Sequence, residues 1–178
     1  IPALGEEYCV RWLRIRECIN GETQGDVIAF YGIKDDGSYR YLADSYDEAK
    51  PLLGEDETLK YATSFADDSY FDILNPKAVR AFIDSTYEKY ADECAKEFEN
   101  GSLKGFFTDE PQFMRKGTLA FADSRQNVHL PWTNDFEDTF KATYGESLVD
   151  HLPELLWDLP DGEVSLTRYH YHDLVAEL

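Results

Sequence analysis

Two segments of the sequence combine carboxylates with aromatic side chains, residue types that can bind and cleave a sugar. The first is residues 66–74, and the second begins at Thr108 and runs past Trp132. Carboxylates accept hydrogen bonds from hydroxyls and transfer protons, while a flat aromatic face packs against the apolar side of a pyranose ring. We therefore predict a sugar-binding cleft, whose substrate-binding residues are Asp67, Asp68, Tyr70, Asp109 and Trp132.

Glu110 is the strongest candidate for a catalytic acid. It follows the apolar run 105–108 and Asp109, and it precedes Pro111. Successive side chains on a strand alternate in direction, so only one of Asp109 and Glu110 can face a cleft if the chain stays extended. Neighbouring Phe and Trp side chains would partly desolvate Glu110, raise its pKa and keep it protonated as a general acid. The alternative is a solvated turn, which a chain with 36 acidic residues contains by chance.

The elements that must position these residues indicate an α/β chain. Residues 26–42 predict a β-hairpin with an Asp-Gly turn, and residues 61–65 a short strand. Residues 75–98 have helical periodicity behind an Asn-Pro start, and residues 103–108 predict a buried strand. Strand, helix and strand in this order favour a parallel pair with a right-handed crossover. The loops at the carboxyl ends of such strands hold ligands.

The flanking segments are less uniform. Residues 6–19 mix two hydrophobic periods and favour a helix over a strand, with both left open. No clear element is indicated between Thr108 and Pro131. Residues 135–142 then predict a helix that ends near Gly145, and a shorter helix and a C-terminal helix follow.

Charge excludes two classes of partner. The chain has 178 residues, 36 acidic against 17 basic, and a formal charge of −19, which repels phosphate backbones and anionic lipids. Neither a nucleic acid nor a membrane is therefore a predicted partner. No apolar run approaches the roughly 18 residues of a membrane span, and no signal peptide is evident; the compartment is left unknown, with a cytoplasmic location as the default. Three cysteines without a C-x-x-C pattern predict reduced, packed thiols.

Four runs resemble the middle of the catalytic barrel in large bacterial glycoside hydrolases of the α-L-rhamnosidase type, glycoside hydrolase family 106. They are residues 70–83, 104–111, 131–133 and 140–145, and the resemblance covers about residues 60–178. The run from Thr108 to Pro111 is also similar to the Asn-Glu-Pro that ends the fourth strand in many retaining glycosidases. The resemblance implies that Glu110 is the proton donor and that Asp109 binds a substrate hydroxyl or supports Glu110.

The chain departs from that family in length. An eight-stranded α/β barrel takes about 250 residues, and glycosidases need two carboxylates, but only 68 residues follow Glu110. We predict an α/β fold: an N-terminal helix and β-hairpin region, 1–58, and a partial (β/α) TIM-barrel-like fragment, 59–178. The second carboxylate would lie in the remainder of a parent chain, so we expect the chain to be inactive alone.

A noncatalytic carbohydrate-binding or structural module is the competing prediction. Glu110 separates the two, because it should be exposed with an ordinary pKa in a binding module and lie in a cleft in a hydrolase. In both cases the expected partner is an oligosaccharide or glycoside. The sequence predicts no cofactor, although calcium stays open because hard cations choose carboxylate oxygens.

Overall fold

This computed structural model describes residues 5–108, 111–113, 117 and 128–178. These residues are organised around one antiparallel sheet. The sheet has five strands in the order β3-β2-β4-β1-β5. The strands are β1 (Cys9–Glu17), β2 (Asp26–Ile33), β3 (Tyr39–Ala43), β4 (Thr58–Phe71) and β5 (Leu130–Trp132).

Strand β1 forms because its side chains alternate between two faces of the sheet. Leu13 and Ile15 are fully buried on one face, whereas Trp12 and Arg14 are half-buried on the other. The helix favoured for residues 6–19 is therefore wrong. Pairing with β4 on one side and β5 on the other stabilises the period-two pattern over the period of a helix.

The predicted hairpin is confirmed. β2 and β3 pair antiparallel, and the backbone N–H of Lys34 donates to the Ser38 carbonyl across the turn at 2.9 Å. Gly37 has a φ of 92°, a conformation that suits glycine because it has no Cβ. The strand predicted at 61–65 is also present, as the middle of the much longer β4.

Six α-helices lie in the described part of the chain. They are α1 (Tyr46–Ala49), α2 (Pro76–Ser85), α3 (Tyr87–Glu93), α4 (Ala95–Glu99), α5 (Phe136–Tyr144) and α6 (Leu166–Glu177). The Asn75 side chain caps α2 by accepting from the Lys77 N–H at 3.0 Å, as its type predicts. The single helix predicted over 75–98 is divided, because the Thr86 hydroxyl bonds the Phe82 carbonyl at 2.5 Å and the backbone bends there.

The predicted partial (β/α) barrel is wrong. All paired strands are antiparallel, and one five-stranded sheet with several helices makes a small α+β domain. The strand predicted at 103–108 is absent, and Phe107 in it is 88% exposed. Without that strand, α2–α4 cannot serve as a parallel crossover. β4, from the predicted 59–178 region, instead pairs with β1 and β2 from the 1–58 region.

The core lies on both faces of the sheet, and its arrangement decides which part of the sheet can meet a ligand. Helices α5 and α6 cover one face, where Leu13, Phe136 and Tyr171 are fully buried. On the opposite face a smaller cluster is packed around Phe30, Tyr61 and α1 at the β2–β3 side. The β1–β4 side of that second face is only half-buried at Trp12 and Phe65.

Candidate functional site

The carboxyl end of β4 carries two predicted sugar ligands at a bulge. Residues 68–70 are extra on β4 relative to β1, and bulges of this kind redirect side chains. Asp68 and Ser69 are exposed there. Asp67 Oδ1 accepts from the Ser69 N–H at 2.8 Å, and hydrogen bonds from the Ser69 hydroxyl and N–H lower the pKa of Asp67. Asp67 is therefore ionised near neutrality, which suits a hydroxyl acceptor and not a proton donor.

A pocket of about 510 Å³ opens beside this bulge and is lined by Glu6, Cys9, Ala66, Asp67 and Asp68. Cys9 is buried, and burial, followed by the charges of Asp68 and Glu6, raises the pKa of its thiol. A neutral thiol is a weak nucleophile. The polar chemistry of the pocket is therefore supplied by three carboxylates that can accept hydrogen bonds from hydroxyls.

Next to the pocket, two aromatic side chains stack on one another, and we call this pair the aromatic platform, Trp12 and Phe65. The two residues are direct partners in the β1–β4 register, and their rings are stacked with centroids 5.8 Å apart at 17°. Asp67 follows Phe65 by two residues and so lies on the same face, about 6.7 Å further along the strand. The platform thus continues directly into the carboxylates of the pocket.

Arg14 lies at the end of the platform that is away from Asp67, and it pairs with Thr63 of β4. It is half-buried, and its Nε is buried without a hydrogen-bond partner. Within the described residues Arg14 forms no ion pair. In contrast, the other described arginines each have a hydrogen-bonded acceptor, at positions 11, 16, 40, 80 and 168. Arg14, the aromatic platform and Asp67 form a row on one face of the sheet. Four strand positions, about 13 Å, separate Arg14 from Asp67 in this row.

Tyr70, a predicted substrate-binding residue, is half-buried on the bulge. Its ring stacks on Phe71 at 5.2 Å, and Phe71 in turn stacks on Phe82 of α2 at 4.4 Å. Tyr70 therefore belongs to an aromatic stack that joins the bulge to α2.

Trp132 lies on the other face of the sheet from Asp67. It pairs with Arg11 on β1, is 5% exposed and stacks on Phe136 at 5.2 Å. Its ring is thus part of the core under α5. The structure brings Asp67 and Asp68 together but does not bring Trp132 to them.

The predicted residues Asp109 and Glu110 lie outside the described residues. The chain that leads to them is held against the helices. Phe106 packs on the Tyr87 ring at 5.1 Å, and the Thr108 and Tyr87 hydroxyls are hydrogen-bonded at 2.6 Å.

The pKa of Asp72 is in the range that suits a catalytic acid or base, but its side chain is not accessible to a substrate. It is 1% exposed, and Oδ1 accepts from the Leu74 N–H at 3.1 Å while Oδ2 has no partner. Burial raises the pKa of Asp72 to about 6, and the charge of Asp135 adds to the rise; the Thr133 hydroxyl, the Leu74 N–H and Arg11 oppose it. Burial keeps this carboxyl away from any sugar.

Sequence reasoning missed the aromatic platform and Arg14. The available signal was the alternation in residues 10–16, which in a strand places Leu13 and Ile15 on one face and Trp12 and Arg14 on the other. The uncertainty between helix and strand in this segment hid that signal, because the two faces separate only if the segment is extended.

The part of the chain that the structure describes contains no group of three or more histidine, cysteine, aspartate or glutamate side chains able to hold a metal ion. Nor does any described helix combine the length and apolar character needed to cross a membrane. Compared with protein-family models, curated proteins and solved structures, the chain has no match.

Proposed function

We propose that the chain is part of a glycoside hydrolase that binds its sugar on the aromatic platform and in the adjoining carboxylate pocket. The observation that carries this proposal is the continuous row on one sheet face from Trp12 and Phe65 to Asp67. Stacked rings offer an apolar face to a pyranose, and the ionised Asp67 accepts hydrogen bonds from its hydroxyls. The combination matches both surfaces of a sugar, one apolar and one rich in hydroxyls.

Glu110 is the proposed acid/base residue. The resemblance of residues 104–111 to glycosidase motifs supports this role, since a Glu between an apolar run and a proline is the acid in those enzymes. The described carboxylates do not replace it: the lowered pKa of Asp67 makes it a poor proton donor, and Asp72 is enclosed. Hydrolysis also needs a second carboxylate, so we expect the chain alone to bind and not to cleave.

A noncatalytic carbohydrate-binding module is the second candidate. The observation that favours it is that both rings of the platform and the described lining of the pocket come from Glu6, β1 and β4. In this case Glu110→Gln would change neither binding nor the activity of any longer chain.

Binding is tested by isothermal titration calorimetry with a panel of oligosaccharides. Trp12→Ala should weaken the binding of a hit by about tenfold or more, because stacking on a half-buried ring is lost. Trp157→Ala is the matched control: this ring lies under Lys60, with Nζ 4.8 Å from its centroid, and should leave affinity unchanged. No binding to any panel member, or equal loss in both variants, would reject the proposal.

Catalysis is tested separately with chromogenic glycosides. The chain alone should release no product, whereas a longer chain that contains it should be active and should lose activity on Glu110→Gln. Activity that survives Glu110→Gln would remove Glu110 from the reaction while leaving the binding site in place.

A further inference from the structure

We infer that the platform selects a sugar that carries a carboxylate, a uronic acid, and that Arg14 is the residue that recognises it. The inference rests on the proposed function, because it names the substrate class of the same sheet face. It comes from the observation that Arg14, one same-face step from two stacked rings, has no hydrogen-bond acceptor among the described residues, and a neutral ligand would give it none.

An arginine without an ion pair among the described residues is unexpected in so acidic a chain. The formal charge is −19 and acidic residues outnumber basic ones by about two to one. Arg11, on the same strand, donates to Asp26 Oδ2 at 2.7 Å and Arg40 forms a two-pronged contact with Glu57. Arg14 has no such carboxylate among the described residues, and its Nε, like that of Arg11, is buried without a partner.

The position of Arg14 defines the ligand geometry. Guanidinium groups bind carboxylates through two parallel N–H···O bonds, and a buried unpaired donor costs free energy that such a contact recovers. Arg14 lies one same-face step, about 6.7 Å, from Trp12. A ring stacked on the platform could therefore place a carboxylate against Arg14, and the hydroxyls at the other end of the saccharide would face Asp67.

The position of Asp67 also sets the polarity of the site. A cation lies at the Arg14 end of the row and ionised carboxylates lie at the pocket end, so an anionic group is accepted at only one end. The overall negative charge of the chain repels anions at long range, but at 0.15 M salt this repulsion is screened beyond about 8 Å. Contact recognition by Arg14 therefore decides the preference at physiological ionic strength.

The probe is a disaccharide of one galacturonic acid and one neutral galactose unit, compared with its methyl ester, which removes the single charge and keeps both rings. Wild-type chain should bind the acid form about ten- to a hundredfold more tightly at 0.15 M salt. Arg14→Gln should abolish this preference, because the acid form loses its two-pronged contact. Arg14→Lys should restore part of it, because a point charge replaces the two-pronged contact.

Arg80→Gln is the matched control, since it removes an equal charge from an exposed arginine that already pairs with Asp84 and Glu88. It should preserve the preference for the acid form, and circular dichroism should show that all variants fold. Equal binding of acid and ester, both abolished by Trp12→Ala, would overturn the inference and retain the proposed function. Binding of neither form would overturn the inference, whereas the proposed function fails only if no member of the oligosaccharide panel binds.

Discussion

At the residue scale, two buried groups show how the fold fixes protonation states near the site. The pKa of Asp72 rises to about 6 and that of the Cys9 thiol also rises, and burial is the first cause in both. Neither effect can be predicted from the sequence, because each depends on which strand end covers the side chain. The protonation of each group therefore tests whether the structure buries it as described: Asp72 through the pH dependence of stability and Cys9 through its reactivity.

Because of its raised pKa, Asp72 should contribute more to the stability of the folded chain as the pH falls. Its pKa is about 6 in the folded state against 3.8 ordinarily, so the folded chain takes up a proton that the unfolded chain does not. This stabilisation is fully present below the unfolded pKa and is lost as the pH rises through about 6. Asp72→Asn should therefore raise the free energy of unfolding at pH 7.5, by up to about 3 kcal/mol, and flatten its pH dependence between pH 4 and 6.

Urea denaturation at several pH values measures this effect. Asp67→Asn is the control, because the pKa of Asp67 is lowered and loss of its charge should reduce stability at neutral pH. If Asp72→Asn is destabilising at pH 7.5, the hydrogen bonds and the charge of Arg11 that favour the ionised carboxylate outweigh its burial.

Cys9 predicts a slow thiol. Its side chain is 3% exposed, whereas Cys18 and Cys94 are half-buried. Native protein treated with iodoacetamide at pH 8 should be modified at Cys94 and Cys18 before Cys9, as peptide mass spectrometry would show. Modification of Cys9 first would mean that the pocket activates its thiol, contrary to the raised pKa.

At the element scale, the sequence predicts those parts that depend on neighbours along the chain. The β2–β3 hairpin, the Asn75 cap and the stop at Gly145, whose φ is 77°, follow from local turn and capping chemistry. β1 and the segment 103–108 do not, because short apolar runs are ambiguous until their partners are known. β1 finds strands on both sides and becomes extended, whereas 103–108 has no strand partner and remains exposed.

The same dependence explains the outcome for the site. Asp67 and Asp68 meet because they are adjacent on one strand end, but Trp132 is carried to the other face by its pairing with Arg11. In a parallel sheet the loops that follow the strands lie at one edge of the sheet. In this antiparallel sheet neighbouring strands end at opposite edges, so the predicted residues are not brought together. Thus the acidic end of the site could be predicted from the sequence, and its aromatic half on β1 could not.

The cap of α2 offers a test at this scale. Asn75→Ala removes the acceptor for the Lys77 N–H and should lower the free energy of unfolding by about 1 kcal/mol. Ser45→Ala is the matched control, because the Ser45 side chain makes no capping hydrogen bond to α1. Thermal or urea denaturation of the two variants should therefore differ; equal losses would show that the α2 cap contributes nothing specific.

At the scale of the whole molecule, the sheet divides the chain into a structural face and a face that can bind. Helices α5 and α6 bury the first, and β1 and β4 present Arg14, the aromatic platform and Asp67 on the second. Because the strands are rigidly paired, the row keeps its spacing whether or not a ligand is present. Binding should therefore produce local changes on this face and little change under α5.

The most direct test is a two-dimensional NMR titration of the isotopically labelled chain with a disaccharide of one galacturonic acid and one neutral galactose unit. The account predicts concentration-dependent shifts at the amides of Trp12, Arg14, Phe65 and Asp67 and at the Trp12 indole N–H, with Trp132 and Phe136 unchanged. Shifts confined to Trp132 and α5, or no shifts at millimolar saccharide, would contradict a sugar-binding site on the β1–β4 face.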